Sequence, residues 1–163
     1  NLWGVVYGIH AAYPLMLKQG FGHIINTASG AGLTPKPSMV PYAAIKHAVM
    51  GLSTSLRAEA QAFGIQVSAV CPGFVATNIL ESTTYHNLDK NKLMGSIAKL
   101  PLKPISPRDC AKAILTGVLK NKGIIPITLI THLEWLLYRL NPEWMIAASQ
   151  WRGKQMSKAR TSC

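Results

Sequence analysis

Residues 41–73 read PYAAIKHAVMGLSTSLRAEAQAFGIQVSAVCPG, and this stretch decides the fold. The run from Pro41 to Phe63 predicts a helix with proline at its first position, where helices tolerate it. Gly64 then supplies the left-handed residue that commonly ends a helix. Ile65–Cys71 is rich in β-branched and apolar residues, which predicts a buried strand, and Pro72 ends it.

A helix and a strand precede this stretch. Apolar residues recur at helical spacing from Leu2 to Leu17, and Gly20 and Gly22 end that run. His23–Thr27 follows as a short apolar strand, and residues 29–32 (Ser-Gly-Ala-Gly) form a loop. Strands that alternate with helices are typical of a parallel sheet in which each helix crosses over to the next strand.

Further elements follow residue 73. Ser106 as N-cap, with proline and an acid in the first turn, predicts a helix to about Asn121 that Gly123 ends. Ile124–Pro126 predicts one last short strand, and the remainder, rich in Trp and Leu, predicts helix. Residues 78–102 indicate a mobile segment with a short helix. We therefore expect an α/β fold with three parallel strands.

The composition suits one folded domain, since 48% of the 163 residues are hydrophobic and 14% are charged. The sequence begins at Asn1, which reads as the middle of a helix, so we expect a fragment of a longer protein. Three widely spaced cysteines form no CxxC pair, which favours a reducing compartment and a cytoplasmic location. His10, His23 and His47 lack the spacing of metal ligands, so we expect no metal site.

The formal net charge of +11 comes from dispersed basic residues. No aromatic residues interleave with them on a strand pattern, so we expect no nucleic-acid partner. The longest apolar stretch, residues 124–140, contains ionisable groups that argue against a transmembrane span. Two interpretations of the tail stay open: contact with a membrane surface, or packing on the substrate loop or a partner subunit. The residues concerned are Trp135, Leu136, Leu137, Leu140, Trp144, Met145, Ile146 and Trp151.

Tyr42 and Lys46 carry the candidate chemistry. They are four residues apart on the predicted helix, so their side chains share one face. A free phenol titrates near pH 10, and an ammonium nearby favours the phenolate. The pair is thus suited to general acid/base catalysis, although the same spacing also occurs on ordinary amphipathic helices.

Two strand ends support this interpretation. Ser29 follows the first strand, and residues 72–77 (Pro-Gly-Phe-Val-Ala-Thr) follow the second. In open parallel sheets, ligands bind at the carboxyl ends of the strands. We therefore expect Ser29, Tyr42 and residues 72–77 to converge on one crevice.

At this point the sequence resembles the short-chain dehydrogenase/reductase family, in its single-domain branch. The resemblance covers roughly residues 1 to 125, with order and spacing in agreement. It implies the C-terminal part of a Rossmann-like, doubly wound parallel sheet whose N-terminal strands are missing. Residues 1–125 would be its catalytic half and residues 126–163 a C-terminal helical extension. The matching motifs are Asn1-Leu2-x-Gly4, Gly22 to Ser29, Tyr42-Ala-Ala-Ile-Lys46 and Pro72-Gly73-x-x-x-Thr77.

The resemblance also implies roles. Tyr42 would exchange a proton with the substrate oxygen, and Lys46 would assist it and hold the nicotinamide ribose. Ser29 would orient the substrate oxygen, and Asn1 would support a water in the proton relay to Lys46. The segment that docks the nicotinamide carboxamide would consist of Pro72, Gly73, Val75 and Thr77.

The implied cofactor is NAD or NADP, and the sequence does not choose between them. The family's Gly-rich phosphate turn is absent from these residues, so we expect the chain alone to be poorly stable and inactive. The implied substrate is an alcohol or ketone, and apolar residues near the site favour a hydrophobic one. Helices 2–17 and 41–63 correspond to those that pair subunits in the family, which implies a homodimer or homotetramer.

Two other functions stay open. A non-catalytic binding or membrane-surface protein of the same fold is one, and it would be favoured by a degraded phosphate turn. A sugar epimerase or dehydratase also uses Tyr and Lys at this spacing, but the segment from Pro72 to Thr77 fits the dehydrogenase branch better.

Overall fold

The computed structural model describes residues 1–79 and 104–157. Helix α1 spans Leu2–Gln19, strand β1 Gly22–Thr27, helix α2 Val40–Ala60 and strand β2 Ile65–Cys71. Helix α3 spans Pro107–Leu119, strand β3 Ile124–Pro126, helix α4 Leu129–Leu140 and helix α5 Pro142–Ser157. Short 3-10 turns lie at Gly30–Gly32 and Gln61–Phe63.

The three strands form one parallel sheet in the order β1-β2-β3. The register of β1 on β2 runs from Gly22 opposite Ile65 to Thr27 opposite Val70. Strand β3 pairs with the end of β2, with Ala69 opposite Ile124. The α/β class and the parallel, Rossmann-like arrangement predicted from the sequence are therefore confirmed.

Two glycines shape the turns into β1 and β2. Gly20 ends α1 with φ 76°, and Gly64 ends the turn after α2 with φ 73°. Both values lie in the left-handed region, which glycine adopts without steric cost. A side chain on Gly64 would also collide with the Gly20 carbonyl oxygen. The two turns therefore pack directly on each other, which aligns the starts of the two strands.

The core consists of two clusters, and β2 contributes to both. Val49 and Met50 of α2 pack with Ala69 and Cys71, and the half-buried Trp135 of α4 joins them. The second cluster lies toward the other end of the strands, where α1 and α2 cover the sheet; its buried members are Ile24, Ala60, Ile65 and Val67. Because α2 contributes to both clusters, its position on the sheet is fixed. The positions of Tyr42 and Lys46, which lie on this helix, are fixed with it.

The end of α3 differs from the prediction. The helix ends at Leu119, and the left-handed residue that follows is Asn121, with φ 47°, rather than Gly123. Gly123 has another role, because a Cβ there would lie 2.8 Å from Cδ of Arg57. The Arg57 guanidinium donates to the Val67 carbonyl at 2.6 Å and to the Asn121 side chain at 2.9 Å. It thus joins α2, β2 and the turn before β3.

The segment predicted to be mobile, residues 78–102, lies almost entirely outside the described residues. Helix α2 is shorter than predicted, because residues 61–63 form a 3-10 turn. The predicted N-cap at Ser106 is confirmed, since its hydroxyl oxygen accepts from the Asp109 amide at 3.1 Å.

Helices α4 and α5 pack on the loop that joins Ser29 to Tyr42. Glu134 of α4 forms ion pairs with Lys36 of that loop and with Arg152 of α5, the latter at 2.8 Å. The Ser149 hydroxyl donates to the Pro35 carbonyl at 3.1 Å. Of the helices in residues 1–79 and 104–157, none is sufficiently long and apolar to span a membrane.

Candidate active site

The candidate site lies where the parallel strands end. Backbone hydrogen bonds continue past the strands: the Ala28 amide donates to Val70 at 2.8 Å, and the Gly30 amide donates to Pro72 at 2.9 Å. The segments that contain Ser29 and Pro72 therefore run side by side beyond the sheet edge. Two of the predicted motifs are brought together by this pairing.

Ser29 stands directly before the 3-10 turn and caps it. Its Oγ accepts from the Ala31 amide at 3.2 Å, so the hydroxyl hydrogen stays available for another acceptor. The turn lies against α2, because a Cβ on Gly32 would be 2.6 Å from the Lys46 carbonyl oxygen. The absence of a side chain at Gly32 thus lets the Ser29 turn contact the helix turn that carries Lys46.

Lys46 extends from α2 toward the end of β1. Its side chain is buried, with 7% of the residue exposed, and Nζ donates to the Thr27 carbonyl at 2.9 Å. Nζ also lies 5.7 Å from the centroid of the Tyr42 ring, one helical turn earlier. Burial lowers the pKa of Lys46 from its ordinary value, and the neighbouring Cys71 acts in the opposite direction. Lys46 is thus a buried amine that lies beside Tyr42, and its acceptor Thr27 is two residues before Ser29 in the chain.

Cys71, which the sequence did not single out, lies under this group. It ends β2, is fully buried, and its Sγ lies 3.3 Å from Sδ of Met50. Burial raises the pKa of the Cys71 thiol to about 12, although the Ser29 amide and the Lys46 charge lower it. A thiol in this state is neutral at physiological pH, so Cys71 forms part of the floor of the site and is a poor nucleophile.

The segment after β2 is held from two sides. The Ala76 amide donates to the Ile105 carbonyl at 2.9 Å, and Val75 pairs with Ile105 as an isolated parallel bridge. A Cβ on Gly73 would lie 2.7 Å from Oγ1 of Thr131, a residue in the first turn of α4. Thr128, the N-cap of α4, would also collide with it.

These threonines are a part of the site that sequence reasoning missed. Their hydroxyls lie 2.7 Å apart, and both residues are buried. The N-cap preference of Thr128 before an apolar helix was the available signal. It predicts the helix start but not its contact with Gly73.

The remaining predicted residues lie at the margins of this group. Thr77 is exposed, whereas Pro72 and Val75 are half-buried. Asn1 is exposed and precedes α1, and its side chain makes no hydrogen bond within the described residues. Leu2 and Val5 of α1 pack on the cluster that contains Cys71. The structure thus brings the Ser29 turn and Pro72 together beside Lys46 and Tyr42, while the Asn1 side chain forms no hydrogen bond to this group.

The structure thus places a buried lysine one helical turn after a tyrosine, at the carboxyl ends of the strands of a parallel α/β sheet. Residues 1–87, slightly more than half of the chain, match the family model described as short chain dehydrogenase. The chain belongs to the short chain dehydrogenase family. The membership predicted from the four motifs is thereby confirmed.

Individual relatives agree with this assignment. The chain is 33% identical over 159 residues to "Probable oxidoreductase EphD" of Mycobacterium tuberculosis, a match that covers 93% of this chain and 27% of that protein. A short chain dehydrogenase/reductase from Burkholderia phymatum, crystallised with NAD, matches with a TM-score of 0.71 and 27% identity. A short-chain dehydrogenase from Sphingobium yanoikuyae, in complex with NADPH, matches with a TM-score of 0.65 and 25% identity.

The chain is shorter than these proteins. The Burkholderia match covers 88% of this chain and 56% of that one, and the Sphingobium match covers 98% and 54%. The chain therefore spans about half the length of the two solved structures and about a quarter of EphD. The prediction that the cofactor is NAD or NADP, with no preference assigned, agrees with the cofactors in those two structures.

Proposed function

We propose that this protein is an oxidoreductase that transfers a hydride between NAD or NADP and an alcohol or carbonyl substrate. The observation that carries the proposal is the position of Lys46. Its ammonium is buried, bonded to the Thr27 carbonyl at 2.9 Å and 5.7 Å from the Tyr42 ring centroid. A fold rarely buries a lysine at such a place without use for its charge, because desolvation is costly.

Tyr42 acts as the general acid/base. It donates its phenolic proton to the carbonyl oxygen of a ketone, or accepts a proton from an alcohol. The Lys46 ammonium stabilises negative charge on the phenolic oxygen while the proton is away. Tyr42 is half-buried, which leaves its hydroxyl open to a ligand.

Ser29 orients the substrate oxygen. Its Oγ accepts from the Ala31 amide, which fixes the position of the hydroxyl and leaves its hydrogen free to donate. Two donors, the hydroxyls of Ser29 and Tyr42, then meet the same substrate oxygen. Asn1, which leads into α1 over the same core, supports a water in the proton relay to Lys46.

The residues present fit a nicotinamide cofactor. Lys46 has three N–H donors, and Thr27 is its one acceptor among the described residues, so two donors remain for the ribose hydroxyls. Pro72, Gly73, Val75 and Thr77 hold the carboxamide end of the ring. When bound, the nicotinamide donates or accepts the hydride at the substrate carbon.

The test compares two tyrosines. In the product of the intact gene, Tyr42→Phe removes the proton donor and is expected to lower kcat by about 10²- to 10⁴-fold in nicotinamide-coupled turnover of a panel of ketones and alcohols. Tyr13→Phe is the matched control, because the Tyr13 hydroxyl is buried without a hydrogen-bond partner. The control is expected to keep full activity and at least wild-type stability. Equal activity of the two variants would refute the role of Tyr42 and favour a non-catalytic protein.

The substrate is expected to be hydrophobic. Met39 and Val40 lie at the start of α2, three and two residues before Tyr42, and both side chains are exposed. Phe74 is exposed in the segment after β2. Along a series of linear ketones, kcat/KM should rise by up to about fourfold for each added methylene that these side chains cover. A flat or falling series would contradict a hydrophobic substrate.

Residues 1–163 alone are expected to bind the cofactor weakly, because they contain no Gly-rich turn for the pyrophosphate. Calorimetric titration of NADH and NADPH into these residues, and into the product of the intact gene, tests this expectation. Tight binding by residues 1–163 would contradict it. Sequencing the gene upstream of the Asn1 codon shows directly whether such a turn is encoded.

Helices α1 and α2 are proposed to pair subunits in a homodimer or homotetramer. Trp3 and Tyr7 lie four residues apart on α1 and share one face, and both are exposed, as is Leu15 further along the helix. Light scattering should show a smaller assembly for Tyr7→Glu than for the wild type. An unchanged mass would place the interface elsewhere.

A further inference from the structure

Helix α4 turns polar residues toward the protein and leucines toward solvent, which is the reverse of the usual amphipathic helix. Its inward residues include the polar Thr131 and Glu134, together with the half-buried Trp135 and Tyr138. Its outward side carries five leucines that are 43% to 67% exposed, here called the leucine face: Leu129, Leu133, Leu136, Leu137 and Leu140. A surface helix normally turns its leucines to the core and its charges to water. The leucine face therefore indicates a docking surface.

The geometry of the leucine face is that of one continuous stripe. At 100° per residue its five members fall within an arc of about 100°, and the helix is about 18 Å long. That length is well below the roughly 30 Å of a bilayer's hydrocarbon core. The helix is suited to lie along an interface instead of crossing it. Helix α5 adds two exposed tryptophans seven residues apart, and thus on one face: Trp144 and Trp151.

The charges near the leucine face are complementary to an anionic surface. The exposed Arg139 guanidinium flanks the stripe on one side, next to the exposed imidazole of His132. Glu134 faces inward, where its ion pairs to Lys36 and Arg152 neutralise it. Glu143 is then the remaining acidic residue of α4 and α5. With a formal net charge of +11, the chain is attracted to anionic lipid.

We propose that the leucine face of α4 docks the protein on the surface of an anionic lipid bilayer. The leucines enter the boundary between headgroups and acyl chains, and the Arg139 guanidinium beside them contacts lipid phosphate. Exposed leucines alone would fit a second copy of the chain equally well. The balance of charge favours the bilayer.

The experiment uses the protein expressed from its own gene and vesicles of phosphatidylcholine with or without phosphatidylglycerol. The variant L136E/L140E places two carboxylates on the leucine face. The control L115E/L119E adds the same charge to two leucines of α3 that are 61% and 86% exposed. Because both pairs are exposed, both variants should fold, which circular dichroism and thermal melting check.

Wild-type protein is expected to co-sediment with the phosphatidylglycerol vesicles, less so in high salt, and only weakly with phosphatidylcholine alone. L136E/L140E should reduce the vesicle-bound partition coefficient by about tenfold or more, and L115E/L119E by no more than about twofold. Absence of vesicle binding by the wild type would overturn the proposal. So would an equal loss in both variants, or a concentration-dependent dimer in light scattering that L136E/L140E abolishes while vesicle binding persists.

Discussion

Replacing Gly32 by alanine tests whether close contact between the Ser29 turn and α2 sets the geometry of the site. The added methyl would lie 2.6 Å from the Lys46 carbonyl oxygen and 2.8 Å from the carbonyl carbon. Favourable contact begins at roughly 3.5 Å, so the turn and the helix must separate by about 0.9 Å. Both obstructing atoms belong to the backbone, so no flexible side chain can move aside to make room. Overpacking of this kind costs about 1–3 kcal/mol.

The expected consequences differ for stability and activity. In a chain of this size each kcal/mol lowers Tm by about 2–4 °C, so Gly32→Ala should lower Tm by about 2–12 °C. A displacement near 1 Å of a positioned group costs up to about 10²-fold in rate. The fall in kcat should therefore be much larger than the loss of folded protein alone would cause. The loss should appear in kcat because Ser29 moves relative to Tyr42 and Lys46.

The matched control is Gly51→Ala, in the exposed middle of α2, where nothing lies within 4 Å of the new methyl. Alanine is favoured over glycine inside a helix, so this variant should gain about 0.5–1 kcal/mol. Thermal melting and nicotinamide-coupled turnover are measured on both variants. If Gly32→Ala melts like the wild type and keeps its kcat, the argument from close contact is wrong.

Two further substitutions probe single charges. Lys46→Met removes a buried cation, which favours folding, and also removes the hydrogen bond to the Thr27 carbonyl, which disfavours it. The free energy of unfolding should therefore change by less than about 1 kcal/mol, while turnover is lost. A large drop in the urea midpoint would show a structural role for Lys46 instead. Glu134→Gln should cost about 1–2 kcal/mol at pH 7, because Lys36 and Arg152 lose their partner. Burial raises the pKa of Glu134, but its hydrogen bonds and ion pairs to Lys36 and Arg152 outweigh burial and hold it below its ordinary value. The stabilisation is therefore complete above about pH 4.3 and lost as pH falls through the lowered pKa, so the difference in Tm between wild type and variant should shrink toward pH 3. A difference that does not depend on pH would contradict this assignment.

The strands were predictable because their signals are local. Strand β2 begins and ends at the predicted residues, Ile65 and Cys71, since a left-handed glycine precedes it and proline follows it. Because α2 lies between β1 and β2 in the chain, the connection between the two strands is a long helical crossover. Such a crossover predicts parallel pairing. Four motifs in register then predicted which strand ends carry chemistry, although the roles of the individual residues stay predictions.

Contacts across large sequence separations gave no such signal. The ion pair of Lys36 with Glu134 joins residues 98 positions apart, and nothing near either residue indicates it. The same holds for Thr131, which packs against both Gly30 and Gly73. The outward orientation of the leucines on α4 is also a tertiary property. A helical period of leucines predicts an apolar face, but not which way that face turns.

Two glycines determine how the candidate site is assembled. Gly32 lets the Ser29 turn reach the backbone of α2 at Lys46, and Gly73 lets the first turn of α4 reach the segment that follows β2. In both cases the neighbour that limits the space is fixed: a helix carbonyl in the first, and the buried, mutually hydrogen-bonded hydroxyls of Thr128 and Thr131 in the second. The Ser29 turn, the Lys46 turn of α2 and the segment after β2 are therefore positioned by backbone and cap contacts. Such fixed positions are what the proposed reaction at one substrate oxygen would require. Because α4 makes the second contact, its position matters to the site as well as to the leucine face.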